Sequence, residues 1–224
     1  MRQAFLLLAI PARLAAESAF VELAPPAQPA PWVGQRLDFA VVEGVPGRFN
    51  GSTRFDLPKI DGAILMKPEE RPVLATRTVE GKEFAVQRHE FSLFAQRAGE
   101  IGIPPIGVRC GSLPDLHAPE QEHGLESQGF TITPRLPEGA RPGQVVITSQ
   151  QVTITESWNP EPRDGRAGDA FVRSVTIKAQ DVPGMLLPGL PTPSMGGLAT
   201  YPDAPRVADQ TARGDFTGSR TDRH

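Results

Sequence analysis

Alternating apolar and polar side chains mark the segment 87–109 more clearly than any other part of the chain. The first apolar series alternates with polar residues and consists of Phe91, Leu93 and Ala95. After a turn at Gly99, a second series consists of Ile101, Ile103, Ile106 and Val108. A period of two predicts β-strands with one buried face. Because Pro104-Pro105 removes two backbone donors, we predict a strand, a turn and a bulged or edge strand at one edge of a β-sandwich.

Short apolar stretches bounded by turn residues predict further strands between residues 20 and 135. These strands are predicted at 20–23, 36–43, 53–57, 62–66, 73–79, 84–96 and 130–133. In the second of them, one face is formed by Leu37, Phe39 and Val41. Glycine and proline mark the loops, and Asn50-Gly51 is interpreted as one of them. The polar stretch 111–124 is predicted to be a long loop within this domain.

A linker and a second domain follow. The linker is predicted at 136–150, because Leu136–Gly143 holds two prolines and two glycines and has no apolar period. In the second domain, 151–224, strands are indicated by Val152, Ile154, Phe171, Val175 and Ile177. The polar end, 214–224, predicts no strand, so we expect an incomplete sheet with an open edge. The predicted fold is all-β, with two tandem immunoglobulin-like antiparallel sandwiches of which the second is truncated.

Composition favours an all-β, exported protein and argues against nucleic-acid binding. The chain has 24 prolines and 22 glycines among 224 residues, which indicates many turns and few helices. Its 23 basic and 26 acidic residues give a formal net charge of −3, and lysine and arginine form no continuous stripe. Binding to a phosphate backbone depends on such a stripe, so nucleic acid is not an expected partner.

The N-terminus has the features of an export signal. Arg2 supplies a positive start, 4–10 is a short apolar run, and small residues at 15–16 precede a possible cleavage point before Phe20. The run is too short to span a bilayer. We therefore predict a signal peptide over 1–19. A proline and an arginine interrupt the pattern, and a frayed N-terminal helix is the alternative.

Candidate chemical groups are few. Cys110 is the one cysteine, so it cannot form an intramolecular disulfide, and the pattern places no histidine beside it to activate a thiolate. Potential metal ligands in the polar stretch are Asp115, His117, Glu120, Glu122 and His123. No period directs them at one another, so a solvated loop is the expectation. There is no G-x-S-x-G motif. We assign no catalytic, cofactor-binding or metal-binding residue, and we expect no cofactor.

Several loose motifs, taken in order, resemble the BatD (oxygen tolerance, aerotolerance operon) family. The resemblance rests first on the run HEFSLFAQRAGEIGIPPIGVR at 89–109 and on the entry Trp32-Val33-Gly34-Gln35. Its second part comprises Glu156-Ser157-Trp158-Asn159-Pro160, Gly168–Arg173, Ile177–Pro191 and Tyr201-Pro202-Asp203. Together these motifs cover most of 20–220.

The resemblance implies a scaffold or adaptor rather than an enzyme. Members of the family face the periplasm, carry tandem immunoglobulin-like domains and work with von Willebrand A-domain proteins and a MoxR-type ATPase. They are longer than this chain and have a downstream transmembrane helix that this chain lacks, and Phe94–Arg97 lacks the proline often found before the turn. The resemblance therefore implies protein partners at the periplasmic face of the inner membrane, with anchoring by a segment absent from this chain.

Two other functions remain as alternatives. A carbohydrate-binding or surface-adhesion module would expose aromatic platforms, for which Trp32, Trp158 and Tyr201 are available. A metal hydrolase using His117 and His123 is the third hypothesis.

Overall fold

The computed structural model describes residues 19–66, 71–115, 117–163, 165–192, 196–212 and 215–224. Within these ranges the chain is all-β, as predicted, and its one helical element is a 3-10 helix at Gly184–Leu186. The predicted signal peptide lies outside the described residues except for Ala19, which is buried against Val45 and Cys110.

The described residues of the first unit form ten strands. They are β1 (Phe20–Ala24), β2 (Arg36–Pro46), β3 (Arg48–Asp56), β4 (Ala63–Met66), β5 (Val73–Val79), β6 (Lys82–Ala95), β7 (Ile101–Ile103), β8 (Gly107–Leu113), β9 (Gln121–Glu126) and β10 (Phe130–Ile132). One sheet has the order β1-β2-β6-β4, with β5 also paired to β6. A second has the order β3-β8-β9, and β7 pairs with β10. All of these pairings are antiparallel.

The core of the first unit lies between these sheets. Its buried members include Leu37, Phe39, Val41, Phe91, Leu93, Ala95, Ile101, Ile103, Ile106, Val108 and Ile132. The alternation predicted for β2 and β6 is therefore confirmed. The Phe39 ring stacks on Phe91 and meets Phe130 edge-on, with centroid separations of 5.5 and 5.0 Å, in the range that favours aromatic pairs.

The two strands predicted over 87–109 exist, but they do not pair with each other. β6 is already paired with β2 on one side and with β4 and β5 on the other, so no edge is left for β7. After the turn at Gly99, β7 pairs with β10 instead. The segment therefore crosses between sheets, and the prediction of a single return strand over 101–108 was wrong, because that stretch forms two strands, β7 and β8, in different sheets. Pro104-Pro105 separates β7 from β8, where the missing N–H groups break no ladder.

Two predicted loops are partly strand. The stretch 111–124 contains the end of β8 and the start of β9, so only its middle is a loop. β9 is an edge strand with a solvent-facing side, and such a polar strand lacks the apolar period that would separate it from a loop. Asn50-Gly51 lies inside β3, at a shift in its register with β8. A register shift of this kind is typical of a β-bulge.

The described residues of the second unit form a four-stranded antiparallel sheet. Its strands are β11 (Val152–Asn159), β12 (Val172–Gln180), β13 (Arg206–Ala212) and β14 (Asp215–Arg223), in the order β11-β12-β14-β13. A small core forms where 182–190 packs on one face, and it contains Ile177, Ala179, Val182 and Leu187. Within the described part of 151–224, these strands form one sheet.

The polar end of the chain is a central strand, so the prediction of no strand at 214–224 was wrong. β14 pairs with β12 on one side and with β13 on the other. An ion pair takes the place of apolar residues on its buried face: Arg220 Nη2 lies 3.1 Å from Asp222 Oδ1, and Asp222 accepts the Leu190 N–H. Such a strand has no apolar period to reveal it.

The segment between the units contacts both of them. Residues 136–150 contain no strand among the described residues. Thr148 Oγ1 donates to the Val33 carbonyl at 2.8 Å, and Ile147 packs against the core of the second unit. Arg36 of β2 also reaches Asp181, with its Nη1 3.2 Å from Oδ1. The predicted linker thus contacts the first unit through Thr148 and the second unit through Ile147.

Candidate functional site

A buried ionisable pair lies inside the first unit. Glu43 of β2 is 0% exposed, and its Oε1 lies 3.0 Å from Nε2 of His89 on β6. Thr53 donates its hydroxyl hydrogen to the same oxygen. The other oxygen, Oε2, is buried and has no hydrogen-bond partner among the described residues. The sequence did not single out this pair, because Glu43 and His89 come together only through the pairing of β2 with β6.

Cys110 lies beside this pair, and its surroundings suppress thiolate chemistry. Burial, followed by the charge of Glu43, raises the pKa of the Cys110 thiol to about 12. A nucleophilic cysteine needs the opposite shift. The histidine that the sequence could not place is His123, directly across from Cys110 in the β8–β9 register. His123 Nε2 lies 2.8 Å from Ser112 Oγ. A cysteine and a histidine, the residue types of a nucleophilic thiol site, are therefore neighbours here. The thiol nevertheless stays protonated at neutral pH.

Two of the candidate metal ligands, Asp115 and His123, have other partners in the structure. The Asp115 carboxylate accepts the backbone N–H groups of His117 and Ala118, both at 2.8 Å, which is an Asx-type turn. His123 is held by Ser112. Across the described ranges, no three potential ligands gather in a geometry that could hold a metal ion. The hydrolase hypothesis therefore gains no geometric support.

The candidate aromatic platforms lie on three separate segments. Trp32 is 39% exposed, and the Arg135 guanidinium lies 4.7 Å from its ring centroid. Trp158 of β11 donates its Nε1–H to Glu156 at 2.8 Å. Tyr201, between β12 and β13, is 79% exposed. Arginine thus covers Trp32, and a hydrogen bond fixes Trp158, so the alternative carbohydrate function gains no specific geometric support.

The open side of β11, residues 152–158, is the feature best suited to binding, and we name it the β11 edge. Among the described strands, β11 pairs with β12 alone and lies at the end of its sheet. Val152 and Ile154 are 46% and 63% exposed, although they stand opposite the buried Ala179 and Ile177. The apolar face of this sheet therefore continues into solvent at β11.

The hydrogen bonds fix which peptide groups face the β11 edge. The Gln180 N–H donates to the Gln151 carbonyl at 3.0 Å, and the register with β12 continues without a shift. In an antiparallel ladder, successive residues direct their N–H and C=O groups to opposite sides. The outward residues, whose peptide groups point away from β12, are therefore Val152, Ile154, Glu156 and Trp158. Arg173 and His224 donate backbone hydrogen bonds to each other. The peptide groups of Arg173 therefore point away from β11, which agrees with the outward direction of those of Trp158, its neighbour in β11.

No unpaired charged side chain on the β11 edge would prevent it from pairing with another strand. Its one charged side chain, Glu156, accepts hydrogen bonds from Arg173 Nε at 3.0 Å and from Trp158. These contacts, that of Arg173 first, lower the pKa of the Glu156 carboxyl. Natural edge strands avoid pairing through unpaired charges or prolines, and 152–158 has neither. The opposite edge of the sheet, β13, carries Arg206 and Asp209.

No family model matches the chain, and no curated protein shows significant similarity to it. Among the described residues, none of the helical structure is long and apolar enough to cross a membrane.

Proposed function

We propose that the chain is a non-catalytic interaction module that binds an extended segment of a protein partner along the β11 edge. The observation that carries this proposal is the set of outward residues, whose peptide groups are directed away from β12 at an exposed edge. Recognition by strand addition uses such groups for affinity and the alternating side chains for specificity.

The side chains of the β11 edge support the same mode of binding. Val152 and Ile154 lie on the face that contains Ile177 and Ala179, and the latter two belong to the core of the second unit. A partner strand with apolar residues on that face would extend the core across the edge. Burial of exposed apolar area would then add to the backbone hydrogen bonds.

The resemblance to the BatD family supports the cellular setting of this proposal. We propose an exported protein at the periplasmic face of the inner membrane, whose partners are von Willebrand A-domain proteins in a MoxR-linked stress or oxygen-tolerance system. In the family, the membrane helix lies downstream of the region that this chain resembles. The scaffold role fits the raised pKa of Cys110, which disfavours thiolate chemistry.

A calorimetric titration with a purified von Willebrand A-domain protein from the source organism tests the proposal. The informative variant is Ile154→Pro, because the Ile154 N–H points outward and its loss leaves the pairing with β12 intact. The matched control is Val207→Pro. The β13–β14 register directs the Val207 N–H to the other open edge, and Val207 is 45% exposed.

We expect the wild type and Val207→Pro to bind alike and Ile154→Pro to bind at least about tenfold more weakly, a difference of about 1.4 kcal/mol. Binding that is unchanged in Ile154→Pro, or absent in the wild type, would contradict the proposal. Matching unfolding temperatures of the two variants would show that both remain folded.

A further inference from the structure

We infer that the β11 edge also pairs with the β11 edge of a second copy of this chain, antiparallel and centred on Thr155, to form one continuous sheet. This inference rests on the proposed function, because it uses the same outward peptide groups. It goes further in naming an occupant and a register.

Self-pairing is geometrically consistent at this edge. A two-fold axis perpendicular to the sheet at Thr155 brings each outward residue opposite another outward residue, which is the condition for a hydrogen-bonded antiparallel pair. Val152 then stands opposite Trp158 of the second copy, and Ile154 opposite Glu156. This register engages every outward residue of 152–158, so the overlap is the longest that the edge allows.

The side chains favour this register over the one centred on Glu156. Centring on Glu156 would place two carboxylates directly opposite each other, and like charges in that position are destabilising. Centring on Thr155 removes this conflict and creates a pair of Val152 with Trp158, a β-branched residue against an aromatic one, which stabilises antiparallel strands. Thr153 meets Ser157 on the polar face, where two hydroxyls can hydrogen-bond.

The charge distribution also permits two copies to approach. Glu156 is neutralised within its own chain by Arg173, so each edge brings no unpaired charge to the contact. Because an edge accepts one strand at a time, self-pairing and partner binding exclude each other. A partner would therefore have to separate the two copies before it binds.

Cysteine crosslinking tests both the contact and its register. In the inferred pair, the two Thr155 residues form a non-hydrogen-bonded pair on the two-fold axis, with Cα atoms about 4.5 Å apart, within the range that a disulfide spans. Thr153 faces Ser157 instead, so two Thr153 residues are too far apart to be bridged. Cys110 is buried and gives little background reaction.

We expect the wild-type chain of 24.1 kDa to sediment as a dimer as its concentration rises. Ile154→Pro should remain monomeric, and Val207→Pro should behave as the wild type. Under mild oxidation, Thr155→Cys should crosslink and Thr153→Cys should not.

Three results would overturn the inference: a wild type that stays monomeric at its highest soluble concentration, an Ile154→Pro variant that dimerises equally, or equal crosslinking of the two cysteine variants. The proposed function is tested separately by the partner titration at a dilution where the chain is monomeric. A chain that stays monomeric at its highest soluble concentration but binds the partner would refute the self-pairing alone, and a chain that dimerises but binds no partner when dilute would refute the proposed function alone.

Discussion

Replacement of His89 by leucine should destabilise the first unit, because it leaves the buried carboxyl group of Glu43 without its imidazole partner. His89 is 5% exposed and Glu43 is 0% exposed, and the two side chains meet at 3.0 Å. In the variant, the hydroxyl of Thr53 remains near Glu43 Oε1, while Oε2 is already without a partner among the described residues.

The expected magnitudes follow from the cost of leaving a buried polar group without its hydrogen-bond partner. That cost is typically about 1–3 kcal/mol, and more where the remaining group is charged, so His89→Leu should lose at least about 1–3 kcal/mol of unfolding free energy. Glu43→Met leaves a buried imidazole nitrogen unsatisfied, which typically costs about 1–3 kcal/mol. The double variant removes both polar groups and should be more stable than the sum of the single effects predicts.

Urea denaturation followed by far-ultraviolet circular dichroism measures these differences. His117→Leu is the matched control, since His117 lies in the exposed β8–β9 connection and its replacement should change the unfolding free energy little. A loss in His89→Leu no larger than about 0.5 kcal/mol, the range of ordinary surface substitutions, would refute the reasoning. So would a double variant whose loss equals the sum of the single losses.

Three further predictions concern individual contacts. Burial opposes ionisation of Asp222, but the hydrogen bonds from Arg220 and from the Leu190 N–H outweigh it and lower the carboxyl pKa. Its contribution should therefore be complete above the ordinary aspartate pKa and lost as the pH falls through the lowered value; Asp222→Asn should be destabilising in neutral urea melts and nearly neutral in acid ones. Cys110, with a thiol pKa of about 12, should react with a disulfide reagent far more slowly in the native chain than in urea, and equal rates would contradict its burial. Gly218→Ala should lower the melting temperature of the second unit, because a Cβ there would overlap the Val182 carbonyl oxygen; an unchanged temperature would argue against this close approach.

The sequence was sufficient to predict strands wherever apolar residues alternate. β2 and β6 were predicted because Leu37, Phe39, Phe91 and Leu93 occupy alternate positions and face one core. β14 was missed because Arg220 and Asp222 satisfy each other on the buried side, so its polar composition resembles a loop. Alternating apolar residues reveal a strand that buries apolar side chains. A strand that buries a paired charge shows no such alternation in its sequence.

The pairing of strands was harder to predict than their existence. Whether β6 can form a hairpin with β7 depends on what occupies both sides of β6, and those strands come from distant parts of the sequence. The open edge in the second unit was predicted for the wrong reason, a missing strand at the end of the chain. The candidate site depends on which peptide groups point outward at Val152 and Ile154, and only the register with β12 determines that.

Amide hydrogen exchange along β11, measured residue by residue by NMR, tests the central claim most directly. In the dilute chain without a partner, the outward residues should exchange rapidly, while Thr153, Thr155 and Ser157, whose peptide groups face β12, should be protected. Addition of the partner should then protect the outward residues. Equal protection of both sets before addition would show that the edge is not open, and unchanged exchange of the outward residues at saturating partner would show that binding occurs elsewhere.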